Sequence, residues 1–502
     1  MASNQQQQKK KELHIVVFPW LAFGHMTPFL ELSKSIAAKG HKISFISTPR
    51  NIDRLPLPPP DLASSITMVK IPLPRVDGLS SANAEATMDI QQEEMPYLKE
   101  AMDGMETEVT RFLERTSPDW IIFDVAQYWL PPVAARLGIS RCFFITTSPW
   151  FTAFFSDEFM MSMSSPPKIE DFLARPKSIT FETKARFRRY EAKWILSSPP
   201  NVSAKAKTDM DRLIAVKTGS DLLISRHSND FEPKWVNVLK TTNRGRPVLP
   251  TGLMPPTVHL TDDLDKNEAW FSIKQWLDGH KKCSVVYVAL GSEVVVGPGQ
   301  ISELARGLEQ SRVPFFWTLR TPRGNHSSLG LPDGFEDRVE GRGVVWKEWA
   351  PQKGILNHVS IGGFLTHCGW SSIVEGITFG HPLVMLPFLF DQGITARVME
   401  DNQVGIEVRR DEEDGSFTSN SVADSVRFVM LESEEGKKVR ENARRMSLIF
   451  GDTKSNDKCI EDLVDFMTKH TKNKNTNHVI FLSSVMLCVL IIIIIVSLLY
   501  IK

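Results

Sequence analysis

The sequence predicts an α/β protein of two doubly wound domains facing each other across a cleft, followed by an apolar C-terminal helix. Three observations predict it. Short apolar runs alternate with segments of helical period along most of the chain, the pattern of parallel sheets flanked by helices. A stretch rich in Pro and turn residues near the middle, PVLPTGLMPPTVHLTDD, divides that alternation into two series. A length of 502 residues, at 42% hydrophobic and 24% charged, exceeds one ordinary core and excludes disorder for most of the chain.

The first series opens with the strand-like LHIVVF, the loop WLAFGHM, the helical TPFLELSKSIAAKG and the strand-like HKISFIST, which together make a βαβ unit. In its helix Phe29, Leu32, Ile36 and Ala37 recur at helical spacing, and Gly40 supplies the stop. A strand-like DWIIFD, the helical YWLPPVAARLG and the strand-like CFFITT continue the alternation. From 156 to 216 the sequence is rich in Pro, Ser and Lys and reads as surface helices and loops. The second series runs through the helix AWFSIKQWLDG, the strand SVVYVAL, the turn GSE and the helix ISELARGLEQS. It continues with the strands PFFWTLR and GVVWKEW, the helix QKGILNH, and the strands IGGFLT and HPLVMLP. The expected boundaries are 1–246 for the first domain, 247–265 for a linker, 266–470 for the second domain and 479–501 for the final apolar span.

Charge and cysteine usage narrow the partners. Lys+Arg and Asp+Glu both number 59, so no global field favours nucleic acid, and a small molecule is the expected partner of a monomer. The five cysteines are scattered without CxxC spacing, which argues against a disulfide framework or zinc finger and for a reducing compartment. The polar, basic N-terminus MASNQQQQKKKELH runs straight into a strand and does not read as a signal peptide. Val479 to Ile501 is uncharged, and at ~1.5 Å per residue it is long enough to span the roughly 30 Å core of a bilayer as a helix. Lys469, Lys472 and Lys474 precede it and Lys502 alone follows, so the expectation is a cytosol-facing protein anchored by this tail to the endoplasmic reticulum membrane.

In parallel α/β sheets ligands bind outside the carboxyl ends of the strands. His25 follows the first strand, Asp124 ends DWIIFD, Ser292 follows SVVYVALG and His367 follows IGGFLT. A histidine at a helix start meets the positive end of the macrodipole, which favours the neutral, proton-accepting ring, and Asp124 paired with it would hold the tautomer. The stretch FLTHCGWSSIVEG, Phe364 to Gly376, admits a zinc site, a cysteine nucleophile at Cys368, or an anion site at a helix start. Zinc lacks further ligands at usable spacing, and Cys368 lacks a base beside it. The anion reading fits better: Gly369 permits a tight turn, Ser371 and Ser372 offer hydroxyls and an N-cap, and SIVEGITFG continues as a helix. The patterns GxxxxGK[ST], GxGxxG and GxSxG are absent, which disfavours P-loop, dinucleotide-binding and serine-hydrolase chemistry. Glu375 is placed for a ribose diol and Trp349 for a base, so the ligand read here is a nucleotide.

At these residues the chain resembles the plant secondary-product UDP-glycosyltransferases. The signature box is Trp349 to Gln392, and FPWLAFGHMTPFLELSKSIAAKGHKISFIST with SPDWIIFDVAQYWLPPVAARLGIS extend the likeness through the N-terminal half. The resemblance implies a GT-B fold, with a UDP-sugar donor mainly in the second domain and a small-molecule acceptor mainly in the first. By motif position, Trp349 stacks on uracil beside Ala350, while Gln352 and Glu375 take the ribose. His367, Ser372 and Ser292 hold the diphosphate, and Trp370, Asp391 and Gln392 face the donor sugar. His25 and Asp124 match the catalytic pair, and the implied reaction inverts the anomeric carbon with no metal and no cofactor. Ser371 stands where the family usually has Asn, and LGSEV with FPWLAFGH is similar to the branch that adds glucose or rhamnose to a sugar already on a flavonoid or terpenoid. Transfer directly to aglycones, or a membrane-tethered UDP-sugar-binding protein without catalysis, are the alternatives. Trp20, Phe23, Tyr128, Trp129 and SPWFTAFF read as acceptor pocket or as plain core.

Overall fold

A computed structural model describes residues 11–472 except 82, 165, 198–206, 257–267, 292, 320–329, 390 and 432. Two wholly parallel sheets organise them. The first comprises β1 His14–Phe18, β2 Lys42–Ser47, β3 Ile66–Lys70, β4 Trp120–Phe123, β5 Ser140–Ile145, β6 Leu222–Ser225 and β7 Val248–Pro250, in the spatial order β3-β2-β1-β4-β5-β6-β7. The second comprises β8 Val285–Ala289, β9 Phe315–Thr318, β10 Gly343–Trp346, β11 Ile361–Thr366, β12 Leu383–Met385 and β13 Gly405–Glu407, in the order β10-β9-β8-β11-β12-β13.

The strands lack polar alternation because both sheet faces are covered. On β1, Ile15 and Val17 join one core with the helix Phe23–Ala38, while Val16 and Phe18 join another with the helices Glu106–Thr116 and Leu130–Arg136. The order of each sheet reverses once, between β1 and β4 in the first and between β8 and β11 in the second. Such a switch point splays the following loops to opposite sides and opens a crevice at the carboxyl ends.

Several expectations are corrected. The stretch taken as a linker from 247 begins with β7, whose Pro250, with Pro247 just before the strand, reads as a turn residue but is tolerated on a sheet edge, where one side of the ladder needs no donor. The last helix among the described residues, Thr453–His470, assigned by sequence to the second domain, packs on the first sheet: Ile460, Leu463, Val464 and Met467 share the core of Ile15 and Val17. Trp120 Nε1 donates to the Met467 carbonyl at 3.0 Å to fix it there. The segment expected as surface helices and loops does form short helices and loops, but a few of its residues are interdomain core: Phe159, Phe172, Phe187 and Ala192 are buried in one cluster with Tyr287, Phe364 and Trp370. Its Pro, Ser and Lys residues masked the sparse aromatic anchors. The apolar span expected at 479–501 lies outside the described residues. The anchored location inferred from it is withdrawn, since no helix among the described residues is long and apolar enough to cross a membrane.

A buried charge cluster also joins the domains. Arg397, 3% exposed, donates from Nη2 to Glu191 Oε1 at 2.7 Å and from Nη1 to the Arg186 carbonyl at 2.9 Å. Its Nε lies 3.5 Å from Glu407 Oε2, which also accepts from Arg188 at 3.0 Å. Removing the central cation strands buried carboxylates, so Arg397→Met is expected to destabilise the protein by about 3–5 kcal/mol. The check is a lowered urea midpoint followed by tryptophan fluorescence.

Candidate active site

The register of the first sheet builds one side of the cleft. Parallel pairing sets Phe18 of β1 level with Phe123 of β4, so the residues that follow the two strands leave the sheet side by side. After β1 the chain turns at Pro19–Ala22 into the helix Phe23–Ala38, and His25 sits in its first turn. After β4 comes Asp124, 2% exposed, whose Oδ2 lies 2.8 Å from His25 Nδ1. The carboxylate is itself held: Oδ2 accepts from the Trp20 amide at 3.1 Å and Oδ1 from the Val125 amide at 2.7 Å. Gln127 braces the pair of loops, accepting from the Asp124 amide and donating to the Phe18 carbonyl, both at 3.1 Å. Thr146, just past β5, brings its Oγ1 to 3.1 Å from the same imidazole nitrogen.

With Nδ1 committed to Asp124, the proton belongs on Nδ1, and Nε2 is the nitrogen left to accept one. The ring is a quarter exposed. Burial pulls its pKa down, yet the charge and hydrogen bond of Asp124, joined by the charges of Glu293 and Asp391, raise it above the ordinary 6.5. Carboxylates therefore outweigh burial, and the ring binds a proton more readily than its place at a helix start led one to expect.

The second sheet builds the opposite side. Gly291 follows β8 with φ of +77°, and β11 leads into His367, Cys368 with φ of +70°, and Gly369. A Cβ on Gly291 would come within 2.7 Å of the His367 ring, and one on Gly369 within 2.5 Å, so the ring is seated only because both positions lack side chains. Burial pushes the His367 pKa down to about 4, and its Nδ1 has no partner among the described residues. The helix Trp370–Thr378 starts here, and its first-turn amides have no intrahelical acceptors. Free amides beside a neutral ring make a place for an anion.

Ser292 lies outside the described residues. Neither Ser371 nor Ser372 is the N-cap expected; the cap is Gly369, with no side-chain hydrogen bond. Ser372 is 9% exposed, while Ser371 Oγ accepts from Arg226 Nη1 at 2.7 Å. The indole of Trp370 is core, packed edge-on against Trp150 and Phe450 with Nε1 donating to the Arg226 carbonyl, so only its backbone is placed at the helix start. Burial pushes the Cys368 thiol well up, and it donates to the Thr366 carbonyl at 3.6 Å, which removes the nucleophile reading.

Further along, Trp349 is 57% exposed, next to buried Ala350, and presents a free aromatic surface. Gln352 Nε2 donates to Glu375 Oε2 at 2.7 Å, which ties these two residues together in front of Tyr287. Asp391 opens the helix Asp391–Asp401, and burial raises its carboxyl to about 6 against the pull of its own backbone amide and of His25. Gln392 is 6% exposed and its Oε1 accepts from the Phe388 and Leu389 amides, both at 2.9 Å, leaving its NH₂ to donate. Trp20 and Trp129 are core rather than pocket. Sequence reasoning missed Thr146, Arg226 and Glu293, though each follows a strand of the kind searched; β6 itself, LLIS, is too short to read.

A proton acceptor backed by a carboxylate thus faces an anion site flanked by an exposed indole. The family described as UDP-glucoronosyl and UDP-glucosyl transferase matches residues 252–475. The chain is 48% identical over 475 residues to UDP-glycosyltransferase 91D2 of Stevia rebaudiana, covering 93% of this chain and 98% of that protein. It is 39% identical over 469 residues to soyasaponin III rhamnosyltransferase of Glycine max, covering 92% and 96%. Among solved structures, Glycyrrhiza uralensis UGT73P12 complexed with glycyrrhetinic acid 3-O-monoglucuronide superposes with a TM-score of 0.75 at 20% identity, over 95% of this chain and 99% of that one. That likeness shows the GT-B fold.

The two histidines should titrate apart. In NMR spectra of ring-labelled protein, His25 is expected to titrate above 6.5, falling in Asp124→Asn, while His367 stays neutral down to about 4.

Proposed function

The chain belongs to the plant family 1 UDP-glycosyltransferases, enzymes that move a sugar from a UDP-sugar to plant metabolites, and from that premise we propose its particular reaction. It transfers glucose or rhamnose from the UDP-sugar to a hydroxyl of a sugar already carried by a flavonoid or terpenoid. The observation that carries the catalytic part is the 2.8 Å contact between His25 Nδ1 and Asp124 at the switch point of the first sheet. His25 Nε2 takes the proton of the acceptor hydroxyl, and Asp124 stabilises the imidazolium that forms. The acceptor oxygen bonds to the anomeric carbon as the bond from that carbon to the diphosphate breaks, with inversion. UDP leaves into the site formed by the first amides of the helix Trp370–Thr378, His367 and Ser372; Ser292, outside the described residues, is assigned to it by motif position alone. Trp349 stacks on the base, Gln352 and Glu375 take the ribose, and Asp391 with Gln392 takes the donor sugar. The reading asks for no metal and no cofactor, since the amides and hydroxyls meet the leaving charge. Rhamnose enters it through the Glycine max relative, whose name gives a soyasaponin and a rhamnosyl group.

The test is turnover, read by mass spectrometry, of plant glycosides and their aglycones with UDP-glucose and UDP-rhamnose supplied separately. A gain of one hexose or one deoxyhexose on glycosides alone is expected and names the donor; transfer to aglycones alone would overturn the sugar-on-sugar reading. His25→Ala is expected to lower kcat by about 10²–10⁴-fold. Because the working base must be unprotonated and its pKa is raised, kcat/KM should fall on the acid side through an apparent pKa above 6.5.

A further inference from the structure

We propose that Arg226 is a positioning residue for the diphosphate of the sugar donor, acting through Ser371 across the gap between the two sheets. The inference rests on the donor site proposed above. Arg226 follows β6 of the first sheet and is 5% exposed. Its Nε donates to the Leu253 carbonyl at 2.8 Å and its Nη2 to the Met254 carbonyl at 3.2 Å, so the chain leaving β7 aims the guanidinium. Nη1 reaches Ser371 Oγ at 2.7 Å, and the Arg226 carbonyl accepts from Trp370 Nε1 at 2.9 Å. One residue of the first sheet thus grips the first two residues of the helix that starts the anion site.

The chemistry follows from the hydroxyl. A serine has one proton to give and lone pairs that accept. With a guanidinium donating to Ser371 Oγ, its own proton is turned away from Arg226, and the hydroxyl is set as a donor at the helix start, beside the free amides. The charge points the same way. Among the described residues no carboxylate forms an ion pair with Arg226; Glu375 and Glu31 act on it only from further off, while burial lowers its pKa to about 10. A buried cation without a close counter-ion is costly. An anionic diphosphate at the helix start offsets that penalty, so donor binding and the seating of one domain on the other reinforce each other.

Calorimetric titration of UDP and of uridine into the full-length protein, Arg226→Gln and Ser371→Ala tests this. Both variants are expected to bind UDP at least about tenfold more weakly, with uridine affinity held within about twofold, because only the diphosphate meets the hydroxyl and the charge. The double variant should be no weaker than Arg226→Gln alone, the hydroxyl having lost the partner that orients it. Parallel loss of UDP and uridine would mark a purely structural role, and unchanged UDP affinity in both variants would overturn the proposal as well. A wild-type protein that bound no UDP would instead overturn the donor site itself. Should Arg226→Gln fail to fold, Ser371→Ala leaves the carbonyl bonds of Arg226 in place and decides by the same comparison.

Discussion

Parallel strands buried on both faces leave polar chemistry a single outlet, the carboxyl ends, and in this protein each sheet reverses its order once. Everything at the site depends on that constraint. The level pairing of Phe18 with Phe123 delivers His25 and Asp124 from segments far apart in the chain to within a hydrogen bond. The pairing of Thr366 with Ala289 does the same for the second sheet, bringing the loop of Gly291 against the ring of His367. Neither meeting needs a long loop or a strained side chain. Register sets the distance, and at His367 the two glycines leave the room for the ring.

The same geometry gives two histidines opposite electrostatic fates. Both follow the carboxyl end of a strand beside a helix start, and burial disfavours the charged form of each. Around His25 three carboxylates outweigh burial and raise its affinity for a proton, which suits a group that must accept one and hold it as imidazolium. Around His367 only burial acts, so the ring stays neutral where a dianionic group would be received, able to donate a hydrogen bond without the desolvation penalty of a full charge. What separates the two rings is the carboxylates around each: Asp124 beside His25, joined by Glu293 and Asp391, and none acting on His367.

How much was legible follows the same division. The alternating apolar runs revealed the two sheets, and the strand-end rule picked out His25, Asp124 and His367 before any contact was known. Strands of three or four residues with prolines or a single polar residue, such as β6, β7 and β13, carry too little pattern to read. Losing β6 also hid Arg226, since a lone arginine gains meaning only when the strand before it is placed. Motif position located Trp370 but not the direction of its ring, because side-chain direction is set by the partner, here Trp150 of the other domain. The buried anchors within 156–216 were missed for a related reason: the composition there is that of a surface, and its few aromatic residues become core only when a second domain covers them.

The interdomain contacts converge on the helices that carry the donor-side residues. Trp150 Nε1 donates to Thr395 Oγ1 at 3.1 Å and Arg397 is clamped by Glu191, so the helix that opens with Asp391 and Gln392 is fixed from the first domain's side. Trp370 and Ser371 are fixed likewise through Arg226. Packed interfaces of this kind hold discrete arrangements rather than deforming continuously, so a shift of one domain displaces both donor-side helix starts together relative to His25. The proposed proton acceptor and the proposed leaving-group site follow strands of different sheets, and the distance between them is therefore a property of the interface, not of either domain. Chemistry that needs both at once can proceed only in the seated arrangement, which makes the interdomain core part of the active site's geometry.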